Sequence, residues 1–298
     1  MHDTVLILAG ATASGKTELA IEIAVRANAE IINADSRQIY RGMPVGTAAP
    51  SQAQRAAVPH HLFGFLDPAQ RYSAARYASD ATAIVKDIHA RGRRAIVVGG
   101  SGFYIRALTG SVELAPQYDE GLRKRLACEA AIHEPSFLHA WLALRDPVRA
   151  RAVDVNDTYR VTRALEIALA SSHTSPRDGD LATLRSEAIP FYATFLDVPL
   201  DELDARIARR ATEMIESGLL EEAERIGDRA VAANAVGYPQ ALAYRVGWCT
   251  REELHASLAR ATRRYARRQR SWFRHETGIE HAGREQFQAI AREKLDWL

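Results

Sequence analysis

The chain reads as an α/β protein: a parallel sheet flanked by helices and interrupted by an all-helical insertion. Three observations predict this. Apolar runs alternate with helical stretches in the N-terminal part, as parallel βαβ units do. A glycine-rich segment, Gly10 to Thr17, joins the first strand to the first helix. From about Pro116 strand character vanishes, and it returns only near residue 190.

The elements follow in order. "TVLILAG" is a buried strand, "KTELAIEIAVRAN" a helix and "AEIINADS" a second strand. "YSAARYASDATAIVKDIHARG" is helical, and "RRAIVVGGSG" is a strand closing in a glycine turn. Strands that finish in polar or glycine-rich turns on one side suit a ligand site at the carboxyl ends of a parallel sheet. The stretch from "DEGLRKRLACEA" to "RVTRALEIALAS" is helical throughout, and the polar "SSHTSPRDGD" breaks it as a loop. "IPFYATFLDVP" resumes strand character before further helices. The expected division is a core of 1–115 and 190–298 with an insertion of 116–189. A length of 298 residues suits two domains, or one domain with a large insertion.

Composition excludes several classes. A hydrophobic fraction of 47% with 26% charged residues is that of a soluble globular protein. No apolar run approaches a membrane span, and the residues before the glycine loop are too few for a secretory core. Cys128 and Cys249 stand alone, so neither a disulfide framework nor a structural zinc site is expected. A reducing cytoplasm fits. The net charge of +2 names no acidic partner, but Arg greatly outnumbers Lys and gathers near the C-terminus.

"GATASGKT" has the GxxxxGK[ST] form that holds phosphate between a strand and a helix. Backbone N–H groups of Gly10, Ala11, Thr12, Ala13, Ser14 and Gly15 ring an anion, and the helix N-terminus adds its positive dipole. Lys16 reaches the distal phosphate, and Thr17 can ligate Mg²⁺. A nucleoside-triphosphate hydrolase also needs a second strand ending in a metal-holding Asp, yet "RRAIVVGG" ends in glycines. Asp197, closing "FYATFLD" before Pro199, suits a strand end. Asp35, at the end of the very next strand in "NADSRQIYRG", instead puts a carboxylate beside the phosphate loop. It can hold metal or accept a proton from a nucleophile, so group transfer from a diphosphate ester fits better than hydrolysis. His60 and His61 lack a third ligand and read as a turn with one packed ring. Trp141, Trp248 and Trp297 read as packing.

Together "GATASGKT", "INADSRQIYRGMPVGTAAP", "PHHLF", "YSAARYASDA", "VGGSGFYIRALTG", "NDTYRVTRALE" and "RRYARRQRSWFR" make the chain resemble the tRNA dimethylallyltransferase (isopentenyltransferase) family, in family order over nearly the whole length. Ala11, Ala49, Phe63, Gly64 and Ser101 depart from the usual family residues. The resemblance implies a P-loop NTPase-like core that carries a five-carbon group from dimethylallyl diphosphate to the exocyclic amine of the adenosine next to the anticodon. It implies that residues 10–17 grip the diphosphate, with Mg²⁺ shared between it and Thr17. Lys16 and an arginine, Arg206 or Arg210, stabilise the leaving diphosphate. Asp35 accepts the amine's proton, Ser101 lines the channel, and Asp35, Ser36, Arg37 and Gln38 meet the tRNA, with Ser36 and Gln38 at the adenine edge.

Further tRNA contacts follow from the same resemblance. Arg260, Arg263, Arg267, Arg270 and Arg274 form one helical stripe without interspersed acids, beside an apolar stripe of Leu254, Leu258, Ala261, Tyr265 and Trp272. Five such phosphate contacts would give a log K against log salt slope of roughly −3.5 for a single strand. Arg160 and Arg163 are expected to face RNA, with Leu165 and Ile167 in the core and Arg123 as another contact. A monomer is expected. A P-loop kinase, an adenylate isopentenyltransferase and a non-catalytic RNA-binding protein are the alternative readings.

Overall fold

In the computed structural model, which describes residues 3–112, 120–170, 181–227, 231–293 and 297, β1 (Val5–Gly10) is buried along its entire length. Only a central parallel strand covered on both faces can keep such an uninterrupted apolar run. β2 (Ala29–Asn33), β3 (His60–His61), β4 (Arg94–Gly99), β5 (Phe191–Leu196) and β6 (Ile279–Ala282) complete a parallel sheet in the order β3-β2-β4-β1-β5-β6. Leu6 pairs with Ile96 on one side of β1 and with Tyr192 on the other. The chain leaves β1 toward β2 and later returns to β5 on the opposite flank. The crevice beyond the end of β1 is therefore the topological switch point of the sheet.

Around the sheet lie α1 (Lys16–Ala27), α2 (Gln52–Ala57), α3 (Ala74–Ala90) and α4 (Gly102–Thr109). α5 (Glu120–Ile132), α6 (Pro135–Arg145), α7 (Pro147–Ala152) and α8 (Thr158–Ala170) follow. The C-terminal part supplies α9 (Leu200–Glu216), α10 (Leu219–Ile226), α11 (Tyr238–Arg245), α12 (Arg251–Arg274) and α13 (Arg284–Glu293).

The chain divides into two compact units, Met1–Val112 with Leu181–Leu298, and Glu113–Asp180. The second unit has its own core, with Leu126 of α5, Leu138 and Leu142 of α6, and Val161 and Leu165 of α8. Ile167 is only half-buried. Residues 181–189, assigned to the insertion from the sequence, fold with the first unit: Leu184 is buried there and its N–H donates to Leu108 O at 2.8 Å. The polar stretch read as a loop at 171–180 lies outside the described residues.

Two strands escaped the sequence reading. β3 has two residues and β6 has four, too short for periodicity to register. α12 starts on a capping box in which Thr250 Oγ1 accepts from Glu253 N. It buries Leu254, Leu258, Ala259, Ala266, Gln269 and Phe273, so Ala261, Tyr265 and Trp272 flank the docked face instead of forming it. Trp297 is buried, whereas Trp248 is 83% exposed and packs on nothing extensive.

The histidine pair is explained by a buried acid. Glu30 on β2 accepts from Arg91, from Arg93 at 2.9 Å, and meets His61 Nε2 at 2.6 Å, while His60 Nδ1 lies 2.6 Å from Val58 O. The Arg91 hydrogen bond, reinforced by that to His61, holds the Glu30 carboxyl down at about 2 despite burial. A lowered carboxyl pKa contributes stability that is complete above the usual value and lost as pH falls through the folded one. Glu30→Gln should therefore cost roughly 2 kcal/mol at neutral pH, since it leaves charged partners unmatched. In urea unfolding the gap to the wild type should shrink as pH drops from 4.5 toward about 2; a pH-independent gap would exclude the ion-pair role.

Candidate active site

The loop after β1 closes into a ring. Ala13 and Gly15 adopt left-handed conformations, at φ 65° and 84°, and Ser14 N–H donates to Ala11 O at 3.2 Å. These turns direct consecutive backbone N–H groups toward the start of α1, the arrangement that binds anions. Lys16 Nζ lies across the ring, 3.2 Å from Ala11 O. Burial pushes its ammonium down to about 8, and the Asp35 carboxylate partly restores it while Arg210 opposes it. Ser14 Oγ is buried in the ring with no hydrogen-bond partner among the described residues. An open cleft lies over the ring, lined among others by Lys16, Thr17, Glu18, Asp35, Gln38, Thr47 and Arg210.

The two candidate arginines on α9 behave differently. Arg206 Nη1 donates to Ser14 O at 2.8 Å and Nη2 pairs with Glu202. It props the loop backbone from behind and is not among the cleft-lining residues. Arg210, one turn on, lines the cleft, where desolvation lowers its pKa.

Asp35 is held by a buried neighbour. Asn33 Oδ1 accepts Asp35 N–H at 2.8 Å, and its Nδ2 donates to Asp35 O and Leu62 O. Asp35 Oδ1 accepts the Arg37 N–H at 2.8 Å, an Asx turn that fixes the carboxylate's plane. Ser101 caps nothing on its own helix. Its Oγ accepts Ser36 N–H at 2.9 Å and donates to Ser36 Oγ at 3.1 Å. The hydroxyl read as lining a channel is thus engaged in joining the turn after β4 to the turn after β2. Gln38 Nε2 donates to Thr47 O and Ala48 O, 3.0 Å each. Both amide protons are used inside the fold, which leaves only Oε1 for a base edge.

The sequence placed no site role on Glu222, Tyr265 or Gln269, Tyr265 entering only as part of an apolar stripe. Glu222 of α10, 2% exposed, accepts Val45 N–H, Gly46 N–H at 2.7 Å and Tyr238 O–H at 2.7 Å, fixing the wall that carries Thr47. Tyr265 stands in the field of Asp35, and burial raises its hydroxyl pKa. Gln269 reaches the phosphate loop itself. Glu222 sits in an acidic helix and Gln269 in a run of arginines, so neither offers a periodic or compositional cue.

The arginine stripe splits as well. Arg270 donates to Val198 O and pairs with Asp197 at 3.5 Å, its side chain 20% exposed. Arg263 and Arg267 share Asp204, each at 3.8 Å, with Arg267 67% exposed. Arg260 and Arg274 are exposed. No acid is interspersed from Arg260 to Arg274, but the stripe finds acids on α9 and just after β5. In the helical unit Arg160 is exposed and pairs with Asp157, Arg163 is drawn to buried Glu166 at 2.8 Å, and Arg123 is half-buried. Among the described residues no cluster of three or more His, Cys, Asp or Glu could hold a metal, and no helix is long and apolar enough to cross a membrane.

An anion cradle at the switch point of a parallel sheet, with a carboxylate on the next strand sharing its cleft, defines a P-loop α/β transferase. The IPP transferase model matches residues 38–276 and an isopentenyl transferase model residues 3–60. A tRNA dimethylallyltransferase of Anaeromyxobacter dehalogenans (strain 2CP-C) is 45% identical, over 92% of this chain and 93% of its own. The corresponding protein of Geobacter sulfurreducens is 37% identical over 92% and 90%. The crystal structure of the full-length tRNA isopentenylpyrophosphate transferase from Bacillus halodurans has a TM-score of 0.69 and 32% identity, covering 99% of this chain and 96% of that one. A eukaryotic dimethylallyltransferase acting on tRNA shares the fold at a TM-score of 0.75 and 22% identity. The chain belongs to the IPP transferase family.

The Lys16 environment carries a pH dependence. The ammonium is charged below about 8 and neutral above it, so diphosphate binding measured by calorimetry should weaken as pH rises from 7 to 9, with proton uptake on binding near pH 8. Affinity that is flat over this range would mean Lys16 does not meet the anion.

Proposed function

We propose that the chain transfers a dimethylallyl group from dimethylallyl diphosphate to the exocyclic amine of the adenosine 3′-adjacent to the anticodon in tRNA, releasing diphosphate. The observation that carries this is the shared cleft: Lys16, Thr17 and Arg210 on the donor side, Asp35 on the acceptor side. The names of the relatives support the same donor and acceptor.

The phosphate loop binds the diphosphate through its N–H groups. As the allylic C–O bond breaks, negative charge grows on the leaving diphosphate, and Lys16 and Arg210 stabilise it where it develops. The leaving-group role read for Arg206 passes to Arg210, because Arg206 is committed to Ser14 O. Thr17 Oγ1 and the orphaned Ser14 Oγ suit a Mg²⁺–diphosphate group, and the metal would neutralise diphosphate charge. The amine nitrogen forms the new C–N bond and becomes cationic. Its proton then passes to Asp35, whose Oδ2 remains open while Oδ1 stays on Arg37 N–H. A carboxylate is a weak base, so the transfer suits a late stage, after the nitrogen has acquired charge.

The adenosine must leave its stack, at a cost of a few kcal/mol that is least in a single-stranded loop. Exposed Arg260, Arg267 and Arg274 on α12 and Arg160 in the helical unit offset it through phosphate contacts. Arg123, Arg37 and Ser36 complete the proposed tRNA contacts, while Arg163 is held by Glu166. The protein acts as a monomer in the cytoplasm.

Wild-type protein with Mg²⁺ and labelled dimethylallyl diphosphate should label tRNA and not AMP; label in AMP, or activity only with ATP, would replace this reading. Asp35→Ala should lower kcat about 100-fold or more while tRNA affinity changes little, and equal losses of both would remove its proton-accepting role. Arg267→Ala should flatten the salt slope of tRNA binding by about 0.7. Arg270→Ala should leave the slope unchanged and lower the melting temperature instead.

A further inference from the structure

The geometry points to Gln269 as a positioning residue that fixes the distance between the donor cradle and the acceptor side of the cleft. The inference rests on the reading above and deepens it.

Gln269 is 6% exposed on the docked face of α12, between buried Ala266 and Phe273. A buried amide is costly unless both ends are satisfied, and here they are. Its Oε1 accepts the Thr12 N–H at 2.8 Å, and its Nε2 donates to Gly100 O at 3.0 Å. Thr12 belongs to the loop after β1 and Gly100 to the turn after β4, the neighbouring strand. One side chain therefore ties two loops that the sheet leaves free at their tips. The approach needs glycine: a Cβ at Gly100 would stand 2.2 Å from Gln269 Nε2 and 2.9 Å from Gly10 O.

The tie continues to the acceptor side. Ser101 follows Gly100 and holds Ser36 N–H through its Oγ, next to Asp35. A Cβ at Gly99 would stand 2.1 Å from the Ala34 carbonyl, so β2 and β4 also approach closely here. An unbroken path of short bonds thus runs from Thr12 in the cradle through Gln269, Gly100, Ser101 and Ser36 to the carboxylate. Reacting atoms must meet within about 3–3.5 Å, and a misplacement of about 1 Å costs on the order of 100-fold in rate. Gln269 makes no contact with the cleft, so it acts through the loops it joins. It also withdraws the Thr12 N–H from the anion and leaves the later loop amides to bind it.

Gln269→Glu tests this because the variant is isosteric and titratable. As a neutral acid, Glu offers an O–H to Gly100 O and a carbonyl to Thr12 N–H, restoring both bonds. As a carboxylate it sets a negative oxygen against Gly100 O. Burial raises a carboxyl pKa, so the change falls within the assayable range. Relative to wild type at each pH, kcat for tRNA prenylation should be down about 30-fold at pH 8.5 and should recover most of the loss by pH 6, by the misplacement argument. KM for tRNA should stay within about twofold. Inorganic diphosphate affinity, measured by calorimetry without tRNA and again as a ratio to wild type, should follow the same pH trend. Gln269→Leu should show a pH-independent loss. A flat Gln269→Glu ratio across pH in both kcat and diphosphate affinity would overturn the assignment, as would Gln269→Leu retaining wild-type kcat. If Gln269→Leu does not fold, the Glu variant still decides. If wild-type protein labels no tRNA, the transferase reading fails, and the diphosphate ratio still reports on Gln269.

Discussion

The electrostatic balance over the phosphate ring governs the rest of this structure. Lys16 is buried deeply enough to lower its ammonium pKa, and Arg210 in the same cleft lowers it further. Two desolvated cations, Lys16 and Arg210, face the carboxylates of Asp35 and Glu18 in this cleft. Asp35 works against that burial and holds the Lys16 ammonium partly up.

Such a balance requires loops held in place, and here buried polar side chains hold them. Asn33 fixes the turn that bears Asp35, Ser101 joins it to the turn after β4, Glu222 and Tyr238 fix the wall around Thr47, and Gln269 ties the phosphate loop to Gly100. Each satisfies backbone N–H or C=O groups that the strand ends leave unpaired. The sheet provides the platform, and these side chains set the spacing above it. Their donors and acceptors are matched nearly completely, which makes the arrangement rigid instead of costly.

Arginine is divided between two duties. Arg206, Arg270 and Arg163 are drawn into the fold by Ser14 O, Val198 O with Asp197, and Glu166. Arg267 and Arg160 remain largely in solvent with only loosely screened surface partners. Surface pairs of this kind contribute little to stability and are readily exchanged for phosphate. The division explains how one α12 helix both docks on the sheet and presents positive charge outward.

Much of this was legible in the residues alone. The uninterrupted apolar run of β1, the spacing of "GATASGKT" and the acid closing the next strand fixed the sheet type, the anion ring and the partner carboxylate, because each depends on local periodicity or local turn chemistry. The roles of Arg270, Arg206, Gln38 and Ser101 were not legible, and neither were Glu222 and Gln269. Their partners lie up to 257 residues away in the chain, as from Thr12 to Gln269. Hydrogen bonds that cross between strand ends leave no period or motif in a sequence. Sequence alone therefore determined which chemistry the loop carries, while only the packed sheet decided which side chains face the substrate and which hold the loops apart, since that depends on distances between segments the chain does not place side by side.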